Sequence, residues 1–268
     1  MSATVQSLPS ALASGEQLRR RLAGHRLAVF LDYDGTLTPI VDRPQDAVIS
    51  PTMRQVVVGL AQRCTVCVVS GRDRPVVQEL MGLDTLVVAG SHGFDIWSPD
   101  GGIGRNEAAQ FADLLQAVRR ELQTAAREVD GALVEPKAVS VALHYRLVRA
   151  EDRPRVQQVV EQVLAAHPGE LKLTPGKMVY EVQPAVDWDK GKAVLYLLDA
   201  LHLGAEVLPL YLGDDVTDEH AFTALQGRGV GIVVAAAGDL VDAGRATAAD
   251  YRLEGAGDVE AFLDALAR

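Results

Sequence analysis

The sequence predicts an α/β protein with a doubly wound, mostly parallel Rossmann-like core sheet and an inserted α+β cap domain. Three observations carry that expectation. From Leu27 onward, short apolar runs that end in polar clusters alternate with amphipathic stretches, the pattern of parallel strands covered by helices on both faces. The middle of the chain abandons this alternation for strand, strand, helix, strand, strand. The alternation then returns at Trp188.

Residues 27–31 are a short apolar run, suited to a strand buried on both faces. Ser50-Pro51 opens an amphipathic helix to about residue 61, with a capping hydroxyl ahead of a proline at the first helical position. Strands at 65–69 and 85–89 bracket a helix near 74–81. Phe94 to Trp97 reads as a strand entering the turn Ser98-Pro-Asp-Gly-Gly102. A long amphipathic helix is expected over about 107–129, followed by strands near 132–135 and 139–145. A helix over about 152–166 and strands around 170–174 and 178–183, joined by Pro175-Gly176, complete an antiparallel unit. Beyond Trp188 come a helix at 190–201, a strand at 207–212, a helix at 218–225, strands at 230–234 and near 250–253, and a helix from 259. The expected division is an N-terminal arm at 1–24, a core at 25–103 and 185–268, and an inserted cap at 104–184.

Composition narrows the function classes. Hydrophobic residues are 48% and charged residues 23% of the 268, a balance that excludes wholesale disorder. Lys and Arg number 26 against 36 Asp and Glu, and a formal net charge of −10 argues against nucleic acid as the partner, because phosphate backbones need a basic surface. A small anionic substrate is compatible if local cations or a metal offset the repulsion. No window approaches the roughly 18 consecutive apolar residues of a membrane span, and residues 1–24 lack the pattern of a secretory signal. Cys64 and Cys67 have C-x-x-C spacing but lie on an expected strand, where i and i+3 face opposite ways. They read as packing residues of a protein in a reducing, cytoplasmic compartment.

The stretch Phe30-Leu-Asp32-Tyr-Asp34-Gly-Thr36 places two carboxylates where a buried strand runs out, with Gly35 allowing a tight turn. In open α/β sheets ligands bind beyond the carboxyl ends of the strands. The plainer reading is an Asp-rich turn bonded to its own backbone, and for D-x-D-G alone the two readings weigh equally. The second strand ends at Ser70-Gly71-Arg72, a hydroxyl, amides and a guanidinium that suit a phosphate but also form an ordinary turn. A later strand ends at Gly213-Asp214-Asp215-Val-Thr-Asp218-Glu219. Adjacent acids repel unless a cation sits among them, and hard oxygen ligands suit Mg²⁺. Thr217, Asp218 and Glu219 are equally explained as helix-capping and dipole partners. Lys190 opens its helix with a point charge able to pair an acid and hold a phosphoryl group.

Taken in chain order, Asp32-x-Asp34-Gly-Thr36, Ser70, Lys190 and Gly213-Asp214-Asp215 resemble the four motifs of the haloacid dehalogenase superfamily of phosphohydrolases. The resemblance implies that Asp32 attacks phosphorus and forms an aspartyl-phosphate, with Asp34 as general acid and then base. It further implies Mg²⁺ on Asp32, the Asp34 backbone carbonyl and Asp214, with Asp215 orienting Lys190 or the metal shell, and Ser70 and Lys190 on the phosphoryl oxygens.

Within that superfamily, Asp32-Tyr-Asp-Gly-Thr-Leu-Thr-Pro-Ile40, Gly90-Ser91-His92-Gly93, Glu135-Pro-Lys137, His144-Tyr-Arg146, Gly176-Lys177-x-x-x-Glu181 and Gly213-Asp-Asp-Val-Thr-Asp-Glu219 resemble the trehalose-6-phosphate phosphatases from Ala28 to the C-terminus. That implies hydrolysis of trehalose 6-phosphate, with the cap closing over the core to exclude water and grip the sugar. Glu135, Lys137 and Glu181 offer the donors and acceptors that sugar hydroxyls require; spacing alone slightly favours ordinary exposed strand residues, and the resemblance reverses that order. Arg72, Ser91, His92, Gly93, His144, Arg146 and Lys177 complete the expected substrate-binding set. The family pattern often has an Arg before the proline that follows Glu181, whereas this chain has Gln183-Pro184. Two rivals stand beside this reading: a phosphatase of another sugar phosphate, such as sucrose 6-phosphate, and a non-catalytic sugar-phosphate sensor on the same fold.

Overall fold

The computed structural model describes residues 3–41, 43–176, 178–236 and 244–268. The chain divides into two compact units, Met1–Gly104 with Asp189–Arg268, and Arg105–Trp188. In chain order the first unit contributes β1 (Ala3–Thr4), α1 (Gly15–Leu22), β2 (Arg26–Leu31), α2 (Pro51–Ala61), β3 (Thr65–Val69), α3 (Arg74–Met81), β4 (Val87–Gly90) and β5 (Asp95–Trp97). β6 (Gly104–Asn106), α4 (Ala112–Ala126), β7 (Leu133–Pro136), β8 (Val141–His144), α5 (Arg153–Ala166), β9 (Leu171–Gly176) and β10 (Val179–Pro184) follow. The chain returns with α6 (Lys190–Ala200), β11 (Val207–Gly213), α7 (Glu219–Leu225), β12 (Val230–Val234), β13 (Ala246–Thr247), β14 (Tyr251–Leu253) and α8 (Ala256–Ala267).

The core is an eight-stranded sheet in the order β14-β12-β11-β2-β3-β4-β5-β6. The pairings from β14 to β4 are all parallel, and β5 joins β4 antiparallel. The central strands are apolar throughout because both sheet faces are covered: Val29, Phe30, Leu31, Val68, Val69, Leu210 and Leu212 are all fully buried. From β2 the chain steps to β3 and β4 on one side; from β11 it steps to β12 and β14 on the other. The order therefore reverses between β2 and β11, and such a switch point opens a crevice at the carboxyl ends of the two strands.

Residues 3–23, within the expected N-terminal arm, are packed on the core. β1 pairs antiparallel with β13, and α1 buries Leu18 and Leu22. Their i, i+4 spacing gives this short helix one apolar stripe, which outweighs the adjoining Arg19-Arg20-Arg21 run, whose guanidinium groups lie on the exposed side or reach polar partners such as Asp250. The expected long helix over 107–129 is a 3-10 turn, Ala108–Phe111, leading into α4.

The second unit is a four-stranded antiparallel sheet, β7-β8-β10-β9, with α4 and α5 against one face. Val141, Leu143 and Val182 turn to that face and pack with Leu115, Leu122, Val156 and Val160. Alternation then sends Glu135, Ala142 and Glu181, which lie in one row across β7, β8 and β10, to the other face. At the ends of the unit, the Arg105 guanidinium lies 3.7 Å over the Trp188 ring.

Candidate active site

The site grows out of the switch point. β2 and β11 run in parallel register, with Leu31 beside Leu212, and the amide of Asp32 extends the ladder to the Leu212 carbonyl (2.9 Å). Asp32, directly after Leu31, and Asp214, one residue further on past Gly213, therefore emerge near each other at the ends of adjacent strands. Carboxylate oxygens of Asp32, Asp214 and Asp218 lie within 4.8 Å of one another, and all three residues are buried. Two glycines make this crowding possible. A Cβ on Gly35, at φ +77°, would stand 2.1 Å from an Asp214 oxygen, and one on Gly213 would stand 2.3 Å from the Asp218 carboxyl carbon.

Lys190, the first residue of α6, projects its ammonium into this cluster, donating to Asp32 Oδ1 (2.8 Å) and Asp218 Oδ1 (2.7 Å). Asp189 caps the helix by accepting from the Lys192 amide, which fixes where Lys190 begins. The Tyr211 hydroxyl donates to Asp218 Oδ1 (2.6 Å), and the Asp215 amide donates to Asp218 Oδ2 (2.9 Å). Asp218 thus has both oxygens engaged and orients Lys190.

Charge balance supports a cation here. With its three carboxylates ionised, the buried cluster is net negative even with the Lys190 ammonium. Burial pushes the Asp32 carboxyl well above the usual carboxylate range; Lys190 opposes the shift, and the charges of Asp218 and Asp214 reinforce it. Burial alone would lower the Lys190 ammonium, but Asp218 and Asp32 outweigh it and hold it well above its ordinary value. An anionic Asp32 at neutral pH needs further positive charge, and the hard oxygen donors fit a divalent cation.

Asp34, two residues on, is held by a guanidinium fork: Arg72 Nε and Nη2 each donate at 2.6 Å to separate oxygens. Arg72 also lies 5.7 Å over the Tyr33 ring. Ser70 follows β3 and is buried, its hydroxyl accepting from the Arg72 amide (3.1 Å). β4 ends in the tight turn Ser91–Gly93, where Ser91 and His92 both take positive φ (49° and 56°). Two consecutive non-glycine residues in this region carry strain that the surroundings must hold. The Ser91 amide donates to the Arg72 carbonyl, the His92 amide to the Ser70 carbonyl, and the Ser91 hydroxyl to Asp73. Arg74 paired with Asp95 closes the same loop.

In the second unit the polar sheet face carries a linked set. His144 and Glu135 meet at 2.7 Å, Lys137 reaches Glu181 at 3.3 Å, and the Ser140 hydroxyl donates to Glu181 at 2.5 Å. Arg146 is exposed at the end of β8, and Lys177 lies outside the described residues.

The expected residues thus fall into two constellations. The core brings together Asp32, Asp34, Ser70, Arg72, Ser91, His92, Gly93, Lys190 and Asp214; the insert brings together Glu135, Lys137, His144 and Glu181. Asp215, expected at the metal or Lys190, begins the 3-10 turn Val216–Asp218 and accepts the Val216 amide (2.7 Å). Sequence reasoning assigned Asp218 to capping and missed Tyr211 and Ser140. A third acid four residues after Asp214 was the signal for Asp218; Tyr211 carries none beyond being a polar aromatic on a buried strand. The two free cysteines sit as packing residues: burial pushes the Cys64 thiol up to about 11 and the Cys67 thiol further up.

A family model described as trehalose-phosphatase matches residues 30–256. A trehalose-phosphate phosphatase of Mycobacterium tuberculosis is 42% identical over 269 residues, covering 98% of this chain and 67% of that protein. An uncharacterized glycosyl hydrolase of the same species is 42% identical over 272 residues, and there the chain spans 99% of itself but only 20% of that protein's length. Among solved structures, the C-terminal domain of a Candida albicans trehalose-6-phosphate phosphatase superposes with a TM-score of 0.80 at 22% identity, covering 98% of each chain, which establishes the fold.

Proposed function

The chain belongs to the trehalose-phosphatase family, and from that premise we propose that it hydrolyses trehalose 6-phosphate to trehalose and phosphate. The observation that carries the proposal is the convergence of Asp32, Asp214 and Lys190 at the switch point, with Asp34 held alongside. Asp32 attacks phosphorus, forming a P–O bond as the bond to the sugar oxygen breaks, and Asp34 protonates the departing oxygen. Water then attacks the phosphorus of the aspartyl-phosphate, Asp34 takes its proton, and the bond to Asp32 breaks to release phosphate. Ser70 and Lys190 bind the phosphoryl oxygens, and Arg72 orients Asp34 and releases one of its oxygens so that this oxygen carries the proton it delivers. Asp32, the Asp34 carbonyl and Asp214 would hold Mg²⁺, which when bound would supply the charge neutralisation that lets a carboxylate approach a phosphate dianion.

The sugar is read by the polar face of the insert, where Glu135, Lys137, His144 and Glu181 present donors and acceptors to hydroxyls, with Arg146 as a further cation. A site that hydrogen-bonds a substrate hydroxyl rejects the analogue that leaves its polar groups unmatched. No helix among the described residues is long and apolar enough to cross a membrane. Two free thiols suit a reducing compartment, and we place the protein in the cytoplasm on that ground.

The test is phosphate release from a panel of sugar phosphates, each with Mg²⁺ and with chelator. Metal-dependent release that favours trehalose 6-phosphate over sucrose 6-phosphate and glucose 6-phosphate is expected. Turnover of the others without trehalose 6-phosphate would remove the substrate assignment, and binding without turnover would favour a sensor.

A further inference from the structure

We infer that Arg245, braced by the N-terminal strand, is a positioning residue for the metal ligand Asp214. The inference rests on the proposed role of Asp214 and extends it to Arg245 and to the N-terminal segment, which precedes the family match over residues 30–256.

The peptide unit joining Asp214 to Asp215 is gripped on both edges. Its carbonyl accepts from Arg245 Nη2 (3.0 Å), and its amide donates to Asp218 Oδ2 (2.9 Å). A peptide unit is planar, so bonds to both edges fix its rotation, and with it the ψ of Asp214 and the direction in which the Asp214 side chain leaves the backbone. Asp218 is the inner half of this clamp, already committed to Lys190. Arg245 is the outer half.

Arg245 is itself held from the other side. Glu219 faces its guanidinium at 3.9 Å, and the second Glu219 oxygen accepts from the Thr247 hydroxyl (3.2 Å) and the Ala248 amide (2.9 Å), so one carboxylate ties side chain and following backbone together. The Arg245 carbonyl accepts from the Val5 amide (3.0 Å), and β1 pairs with β13 immediately afterwards, Thr4 opposite Ala246 and Ala3 opposite Thr247. Pro9 and Ala11 bond the backbone of Arg252 as well, which anchors the same N-terminal segment beside β14. A continuous run of bonds therefore leads from Ala3 through Arg245 to the carbonyl of Asp214.

The test is Mn²⁺ binding to the full chain without substrate, followed by electron paramagnetic resonance, together with the thermal midpoint of the metal-free protein. A hydrogen bond from a charged donor is lost in Arg245→Ala, and about tenfold weaker Mn²⁺ binding is expected. Arg245→Lys keeps one charged donor and is expected to restore binding to within about threefold of wild type. Val5→Pro removes the amide that braces Arg245 and exchanges one buried apolar side chain for another; Thr4 is extended and Val5 opens a 3-10 turn, so proline fits the backbone there. About threefold weaker binding is expected for it, which keeps the inference testable should Arg245→Ala fail to fold. Wild-type affinity in Val5→Pro and in a folded Arg245→Ala, with only the thermal midpoint lowered, would overturn the inference by showing a merely structural role. No Mn²⁺ binding by the wild type would instead overturn the metal assignment of the proposed function, and this inference with it.

Discussion

Asp218 shows how a residue with an ordinary local explanation becomes part of a site. In Gly213-Asp-Asp-Val-Thr-Asp-Glu219 it sits where helix-capping acids are common, and that explanation suffices from sequence alone. Its direction is set by the 3-10 turn Val216–Asp218, which rotates the third acid back under the first. There it receives Lys190, Tyr211 and the Asp215 amide at once, fully buried. Removing one member of a buried ion pair leaves the other charge uncompensated, at a cost of about 3–5 kcal/mol. Asp218→Ala is therefore expected to lose stability of that order in denaturant unfolding, as well as activity. A loss under about 1 kcal/mol would show that Lys190 does not depend on it. Asp32, Ser70, Lys190 and Asp214 were placed at strand ends or a helix start by the pattern, whereas their grouping with Asp34 into one site rested on the resemblance to a known family.

At the scale of elements, the buried strands were legible and the N-terminal segment was not. Runs such as Val66 to Val69 can only be strands covered on both faces, and β3 is that strand. The segment before Gly24 presents mixed polar and apolar residues without a long period, and its partner β13 is only two residues long, too short to signal itself. Long-range pairing of two such fragments depends on the finished core rather than on local propensity. The readable clue was the pair Leu18 and Leu22, one turn apart. Leu18 is 2% exposed within the main apolar cluster, so Leu18→Ala is expected to cost about 2–5 kcal/mol in thermal or denaturant unfolding. A free arm would give a change within about 0.5 kcal/mol.

At the scale of the molecule, the chain forms two compact units, each with its own cluster of polar side chains. The break in alternation marked the insert in the sequence, because antiparallel hairpins and parallel crossovers leave different periodicities. The pairing of Glu181 with Lys137 and Ser140 was not readable, since it depends on the register that sets Glu135, Ala142 and Glu181 in one row. If the core performs the reaction and the insert selects the sugar, their substitutions separate kinetically. Glu181→Gln is expected to raise KM for trehalose 6-phosphate about tenfold or more, while hydrolysis of a small aryl phosphate changes less than about twofold. Equal losses on both substrates would assign Glu181 to the fold or to the phosphate rather than to the sugar.

The central claim is that Asp32 becomes phosphorylated. Rapid quenching of the enzyme with trehalose 6-phosphate and Mg²⁺ into borohydride, followed by peptide mass spectrometry, tests it directly, because an acyl phosphate is reduced where a free carboxylate is not. The account predicts homoserine in place of Asp32, dependent on substrate and absent in Asp32→Asn, which is expected to lose turnover. Reduction at another acid, or undiminished hydrolysis by Asp32→Asn, would contradict it.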